Sequence, residues 1–324
     1  MTQPLAEFRI ERPRDVASAL RLGAVEGSQY LAGGTDLIVN LRRGHGAPPL
    51  LVDLGSIAEL DGISCGGEGA RLGAGVRLAS LCKDDALLAQ YPAIGAAAAA
   101  IAGPGHRNLA TLGGNLCLDT RCVYYNQSEW WRAANGYCLK RGGEICHVAP
   151  QGRQCRAAYS GDLAPALLVH AAEVEIAGAA GWRRPPLAEL YRDDGRAHLA
   201  LAAGELLVAV HLPPARLRSA YRKASLRRAV DFPLAGVAVA LAIERGCIAE
   251  LHVAVTGTNP RPLLIEGTSD LAGAPADETA AQRLGKLVQA QVEPVRTTTS
   301  PAQYRRAVAA ALAGQMLRDL AAAG

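Results

Sequence analysis

The sequence has 324 residues, half of them apolar and a fifth charged, with a formal charge of only +4 spread along the chain. That length exceeds one ordinary hydrophobic core and predicts two or three domains, while the weak charge excludes the basic footprint of a nucleic-acid binder or a polybasic membrane tail. The longest apolar runs, residues 93–102 and 232–243, fall short of the roughly 18 residues of a bilayer span, and the N-terminus has no basic stretch leading into an apolar one, so a cytoplasmic protein is expected.

Pro13 and Asp15 open a short helix over residues 15–23, and residues 29–32 form a short strand that Gly33 and Gly34 break. Thr35 or Asp36 then caps a second helix, in which Leu37, Ile38 and Leu41 recur at helical spacing, and Gly44 ends it. Residues 49–54 read as a strand. An alanine-rich helix over residues 85–102 stops at Gly103, Pro104 and Gly105, and a second glycine pair follows at Gly113 and Gly114. Between Leu116 and Ser160 the periodicity gives way to glycines, aromatics and cysteines, as in an inserted loop. Loops longer than about 15 residues without regular structure are usually functional. Regular pattern resumes with a helix over 163–170 and strands over 174–176 and 206–212, and Pro213-Pro214 marks the main boundary. Beyond it, residues 237–244 and 248–256 form a hairpin through Arg245-Gly246, followed by helices over 278–291 and 301–322.

Both glycine pairs run from a strand or loop into a helix, where backbone amides can face an anion such as a diphosphate. Either alone is more often just a tight turn. Neither has the GxGxxG or GK[ST] pattern of a Rossmann or P-loop site. In order along the chain, AGGTDL (residues 32–37), RNLATLGGN (107–115), SGDLAPALLVHAAEVEI (160–176) and YRKASLRRAVDF (221–232) resemble the FAD-binding medium subunit of the molybdenum hydroxylase and xanthine dehydrogenase family.

The resemblance implies an α+β chain: a two-part, PCMH-like FAD-binding domain over residues 1–214, holding the cysteine-rich insertion 116–160, then a smaller α+β domain over 215–324 with an antiparallel sheet. It implies a diphosphate loop of Leu31, Ala32, Gly33, Gly34, Thr35, Asp36 and Leu37, and a second FAD loop of Thr111, Gly113, Gly114 and Asn115. Asp162 matches an aspartate that accepts hydrogen bonds from the cofactor. Ile101 and Leu206 match apolar contacts, and Lys223 matches a lysine near the flavin; the plain alternatives are core packing for the first two and a solvated charge for the third. Relatives that attach FAD covalently place a histidine directly after the paired glycines. Thr35 stands there, so dissociable FAD is expected.

The eight cysteines of a chain in a reducing compartment point to metal or redox work rather than disulfides. Cys122, Cys138, Cys146 and Cys155 have 15, 7 and 8 residues between them within the insertion, which is neither a zinc knuckle nor a ferredoxin run. Four thiolates suit a structural zinc or a [4Fe-4S] cluster, and only iron extends an electron path. Cys117 is set aside as packing beside the second glycine loop. The insertion resembles that of 4-hydroxybenzoyl-CoA reductases, which implies a [4Fe-4S] cluster, ferredoxin as electron donor, and a heterohexamer with a molybdopterin-containing large subunit and a small [2Fe-2S] subunit. A surplus of arginine and lysine in the insertion offsets cluster charge, docks an acidic ferredoxin, or is simply solvated. Two rival readings remain: a substrate-oxidising hydroxylase with a structural zinc loop, and a redox-silent assembly scaffold.

Overall fold

The computed structural model describes residues 5–227, 229–296 and 300–323. The first four residues of the N-terminal stretch, and Arg228 of the lysine-bearing motif, lie outside them.

Strands β1 (Arg9–Glu11), β2 (Gln29–Leu31) and β3 (Leu50–Asp53) form a small parallel sheet in the order β1-β3-β2. Parallel neighbours need crossovers, here the helices Val16–Gly23 and Leu37–Arg42. The first helix is capped as its sequence predicts, with Asp15 accepting from the Ser18 amide. The Gly33-Gly34 turn therefore sits at the carboxyl end of β2, the edge at which open α/β sheets hold ligands.

A second sheet, of β4 (Ile63–Gly66), β5 (Gly69–Gly73), β6 (Glu173–Gly178), β7 (Gly181–Arg183) and β8 (Leu206–Leu212), is antiparallel in the order β4-β5-β8-β6-β7. A third, of β9 (Arg218–Ala224), β10 (Ala235–Glu244), β11 (Cys247–Thr256) and β12 (Leu263–Leu264), is antiparallel in the order β12-β11-β10-β9. Strand alternation explains the long apolar run through β10. Val237, Val239 and Leu241 pack in the core beneath helices Glu278–Gln291 and Ala302–Ala322, while Ala238 and Ala240 face the core shared with the second sheet. With both faces covered, the strand has no polar side to show.

Two expectations change. The single helix over 85–102 is two, Asp85–Gln90 and Pro92–Ala100, because Pro92 lacks an N–H and its ring holds Tyr91 out of the helical region, at φ −130° and ψ 63°. The insertion is also less irregular than its sequence suggests: Ser128 caps a helix over Glu129–Ala134, and Leu139–Arg141 forms a 3-10 turn. A two-residue β-bridge closes its base, with Arg121 and Ala158 exchanging backbone hydrogen bonds of 2.7 and 2.8 Å. No helix among the described residues is long and apolar enough to cross a membrane.

Candidate cofactor site

A cleft of about 1070 Å³ collects most of the residues singled out from the sequence: Ala32, Gly33, Gly34, Thr35, Asp36, Leu37, Ile101, Thr111, Gly113, Gly114, Asn115, Asp162 and Leu206 all line it. Leu31 and Lys223 do not. Leu31 ends β2 behind the turn, and Lys223 reaches from β9 to the Asp162 carboxylate, 3.2 and 3.3 Å from its two oxygens, and to the Ala100 carbonyl at 3.1 Å. With its side chain 8% exposed, Lys223 is no solvated surface charge.

The two glycine loops touch. A Cβ at Gly33 would sit 2.0 Å from the carbonyl oxygen of Leu109, just ahead of the second loop, and one at Gly113 would sit 2.9 Å from the Ala74 Cβ. The first glycine of each pair thus serves chain-to-chain approach. The loops also differ in what they offer an anion. The N–H groups of residues 33–36 have no hydrogen-bond partner among the described residues. In the second loop they are already used: Leu112 donates to Val76 O, Gly113 to Ala74 O, Gly114 to Thr111 Oγ1 and Asn115 to Thr111 O. The sequence reading of two equivalent amide cradles is corrected to one open loop and one that is self-satisfied.

Asp36 does not cap its helix either, contrary to expectation. Its carboxylate pairs with Arg121 and accepts from Asn40 Nδ2 at 3.1 Å and from the Asp119 amide at 3.0 Å, which ties the first glycine loop to the insertion. Asp162 lies buried at the start of the helix Leu163–Leu168, where Tyr221 Oη donates to it at 2.6 Å. Burial pushes its pKa up to about 6, against the opposing pull of Lys223 and of the Tyr221 hydrogen bond. Asn115 uses its side-chain carbonyl to accept from the Leu163 amide at 3.2 Å, so it also holds the helix that carries Asp162.

The four selected cysteines, Cys122, Cys138, Cys146 and Cys155, line a single small cavity together with Tyr124, Tyr125, Leu139, Lys140, His147 and Ala157. Cys117 instead faces the cleft. Backbone amides of Tyr124 and Tyr125 point at the Cys122 sulfur and that of Ala157 at Cys155, an arrangement that favours thiolate. Against them, burial raises both thiol pKa values, that of Cys155 to about 11, so any metal taken up must displace protons. Among the described residues no three His, Cys, Asp or Glu side chains converge on the position of a single metal ion.

The basic surplus of the insertion turns largely inward rather than to solvent. Arg132 is 2% exposed and pairs with Glu129 at 2.5 Å, and Lys140 donates to Asp119 at 2.6 Å and to the Gly195 carbonyl at 2.7 Å. Arg132 and Arg141 also donate to the carbonyls of Arg43 and Gly44. Of the aromatics near the start of the insertion, Tyr124 and Tyr125 wall the cavity, Trp131 leans on Tyr124 with centroids 5.7 Å apart, and Trp130 is 78% exposed.

Residues 6–215 match the family described as the FAD binding domain in molybdopterin dehydrogenase, and residues 219–320 match the CO dehydrogenase flavoprotein C-terminal domain. The chain belongs to the FAD-binding medium subunits of the molybdenum hydroxylase family. It is 29% identical over 318 residues to the carbon monoxide dehydrogenase medium chain of Afipia carboxidovorans, covering 96% of this chain and 94% of that one. It is 28% identical over 283 residues to the xanthine dehydrogenase FAD-binding subunit of Escherichia coli O157:H7, covering 86% and 83%. To the aldehyde oxidoreductase FAD-binding subunit of Escherichia coli it is 33% identical over 241 residues, covering 71% and 75%. A crystal structure of the Cu,Mo-CO dehydrogenase in its cyanide-inactivated form superposes with a TM-score of 0.81 at 26% identity, covering 99% of this chain and 100% of that one.

As a member of this family the chain is an FAD-binding subunit of an oxidoreductase, and the residues of the cleft fit such a cofactor: an open amide turn, flanking Arg43, Arg77 and Arg121, and apolar walls at Ile101, Leu206 and Leu207. Sequence reasoning missed Arg43, His45, Arg77 and His198, which line the cleft, and gave no role to Val230, Asp231 and Phe232, the end of the 221–232 motif, which line it too. The first four sit in none of the quoted motifs. Only the approach of distant segments makes them neighbours.

Proposed function

We propose that this chain is the FAD- and [4Fe-4S]-bearing medium subunit of a cytoplasmic 4-hydroxybenzoyl-CoA reductase. It would be fed by a reduced ferredoxin and joined in a heterohexamer to a molybdopterin-containing large subunit and a small [2Fe-2S] subunit. The chain divides at residues 214 and 215 in this reading. A bound flavin supplies exchange of electrons singly or in pairs, and a cluster supplies a one-electron store. The protein's part is to hold both. The 32–37 turn binds the diphosphate, Thr111, Gly113, Gly114 and Asn115 shape the second wall, Ile101 and Leu206 pack on the cofactor, and Asp162, set by Tyr221 and Lys223, accepts hydrogen bonds from it.

The observation that carries the cluster is the meeting of Cys122, Cys138, Cys146 and Cys155 on one cavity, although the first and the last are 33 positions apart. What favours iron over zinc is the electron path: four thiolates suit either metal, and only iron extends a route to or from the flavin.

A second reading draws on the relatives, which are named as dehydrogenases and an aldehyde oxidoreductase: a substrate-oxidising hydroxylase subunit with structural zinc in the insertion. Iron, zinc, acid-labile sulfide and flavin analysis of anaerobically purified protein separates the readings. Four irons per chain with FAD supports the first, zinc supports the second, and absence of flavin would leave a redox-silent scaffold. Cys138→Ser should lose the iron and keep FAD; iron retained in that variant overturns the ligand set. With Thr35 where a covalent histidine would stand, acid precipitation should leave the flavin in solution.

A further inference from the structure

His45 follows the helix Leu37–Arg42 and lines the cofactor cleft. Both of its ring nitrogens are buried, and neither has a hydrogen-bond partner among the described residues. A neutral imidazole carries one donor and one acceptor, and leaving such atoms buried and unpaired is costly. The ring is therefore set for a partner that the chain itself does not supply. Burial, reinforced by the charges of Arg132 and Arg141, lowers its pKa to about 3 and keeps it neutral.

The insertion holds this ring from behind. His45 stacks on Tyr125 with centroids 3.8 Å apart and planes 14° from parallel, and the carbonyls just ahead of it, of Arg43 and Gly44, each accept from an insertion arginine at 3.0 Å. Tyr125 on the other side of the stack lines the cysteine cavity, and its hydroxyl donates to Asp119 at 3.0 Å.

We propose that His45 is a cofactor-binding residue: its imidazole hydrogen-bonds the FAD in the cleft, and its stack on Tyr125 makes it the contact between the cofactor and the wall of the cysteine cavity. The inference rests on the cleft being the FAD site.

The test is FAD titration of flavin-free protein, followed by quenching of flavin fluorescence, in wild type and in three variants. His45→Phe keeps the stack and removes both nitrogens, His45→Gln keeps a donor and an acceptor, and His45→Ala removes ring and nitrogens together. Phe and Ala should raise the FAD Kd about tenfold, equivalent to about 1.4 kcal/mol, and Gln should stay within about threefold of wild type. Wild-type affinity in the Phe variant, or an equal loss in Phe and Gln, overturns the proposal. Melting of the flavin-free proteins reads folding separately, and the Ala variant carries the comparison if Phe does not fit. Failure of wild type to take up FAD would instead overturn the assignment of the cleft itself.

Discussion

Gly33 and Leu109 approach so closely that a Cβ on the glycine would meet the leucine carbonyl oxygen at 2.0 Å. That contact brings the open amide turn against the second glycine loop, and backbone cannot yield as a flexible side chain would. Gly33→Ala should therefore push the two loops apart, with FAD affinity falling by more than tenfold. Gly34 differs: at φ +70° a Cβ would meet the side chains of Ile38 and Leu31, at 3.2 and 3.4 Å, and no backbone, so Gly34→Ala bears chiefly the cost of a left-handed conformation, about 1–2 kcal/mol. FAD titration and thermal melting of the two variants should rank Gly33→Ala as the more damaging for binding.

Asp162 gives the flavin-free protein an unusual pH term. Its folded pKa of about 6 lies above the ordinary 3.8, so between those values the folded state binds more protons than the unfolded one. The stability it contributes is fully present below about pH 4 and is lost as pH rises through 6. Asp162→Asn should remove that term, so the stability difference between wild type and variant should change across this window by up to about 1.4 kcal/mol per pH unit. Urea unfolding of flavin-free protein at several pH values measures it; a difference that stays flat from pH 4 to 6 would show that Lys223 and Tyr221 hold the carboxylate ionised.

Three histidines, two buried and His45 partly so, act in the opposite sense. Burial is the leading cause in each case, lowering His45 to about 3 and His170 and His198 to about 4 from the ordinary 6.5. Here the unfolded chain binds the extra protons, so their contribution is present above pH 6.5 and is lost as pH falls through the folded values. Three such groups outweigh one aspartate. The melting temperature of flavin-free protein should drop between pH 7 and pH 5, and His170→Asn should make that drop shallower.

The sequence carries the regular elements well where periodicity and caps agree: β8 and the helix Glu278–Gln291 fall on the residues expected, and the hairpin turns at Arg245 and Gly246, both with positive φ. The helix break at Pro92 was legible too, from the proline alone, but the alanine run around it masks the signal. What stayed hidden depends on contacts across the chain. Asp36 has the residue type of a helix cap, and nothing local reveals that Arg121, 85 positions on, takes its carboxylate. Likewise the second glycine pair looks like the first, because sequence does not show which amides the neighbouring strands will claim. The cysteines were legible as a group and their common cavity was not, since intervals of 15, 7 and 8 residues match no fixed motif.

Arg121 is the joint between insertion and cleft. It is 8% exposed, pairs with Asp36 in the open glycine turn, donates to Asn40 Oδ1 at 2.7 Å and forms the bridge with Ala158 that closes the base of the insertion. Arg121→Met keeps the apolar stem and the backbone bridge but takes the cation from the Asp36 carboxylate, which is left with its Asn40 and Asp119 donors, and the donor from the Asn40 side-chain carbonyl. Breaking a buried pair from one side costs about 3–5 kcal/mol, and the partial exposure of Asp36, 26% at its side chain, together with its two remaining donors places the loss at or below the lower end. The backbone bridge that closes the insertion does not use the guanidinium, so FAD affinity should fall while any metal held at the proposed cysteine site is kept. The companion variant Arg121→Lys restores charge without the fork that reaches both Asp36 and Asn40, so it should recover only part of the binding. FAD titration and metal analysis of the two variants, run side by side, check this; loss of metal together with FAD would mean that Arg121 holds the insertion itself and not its contact with the turn.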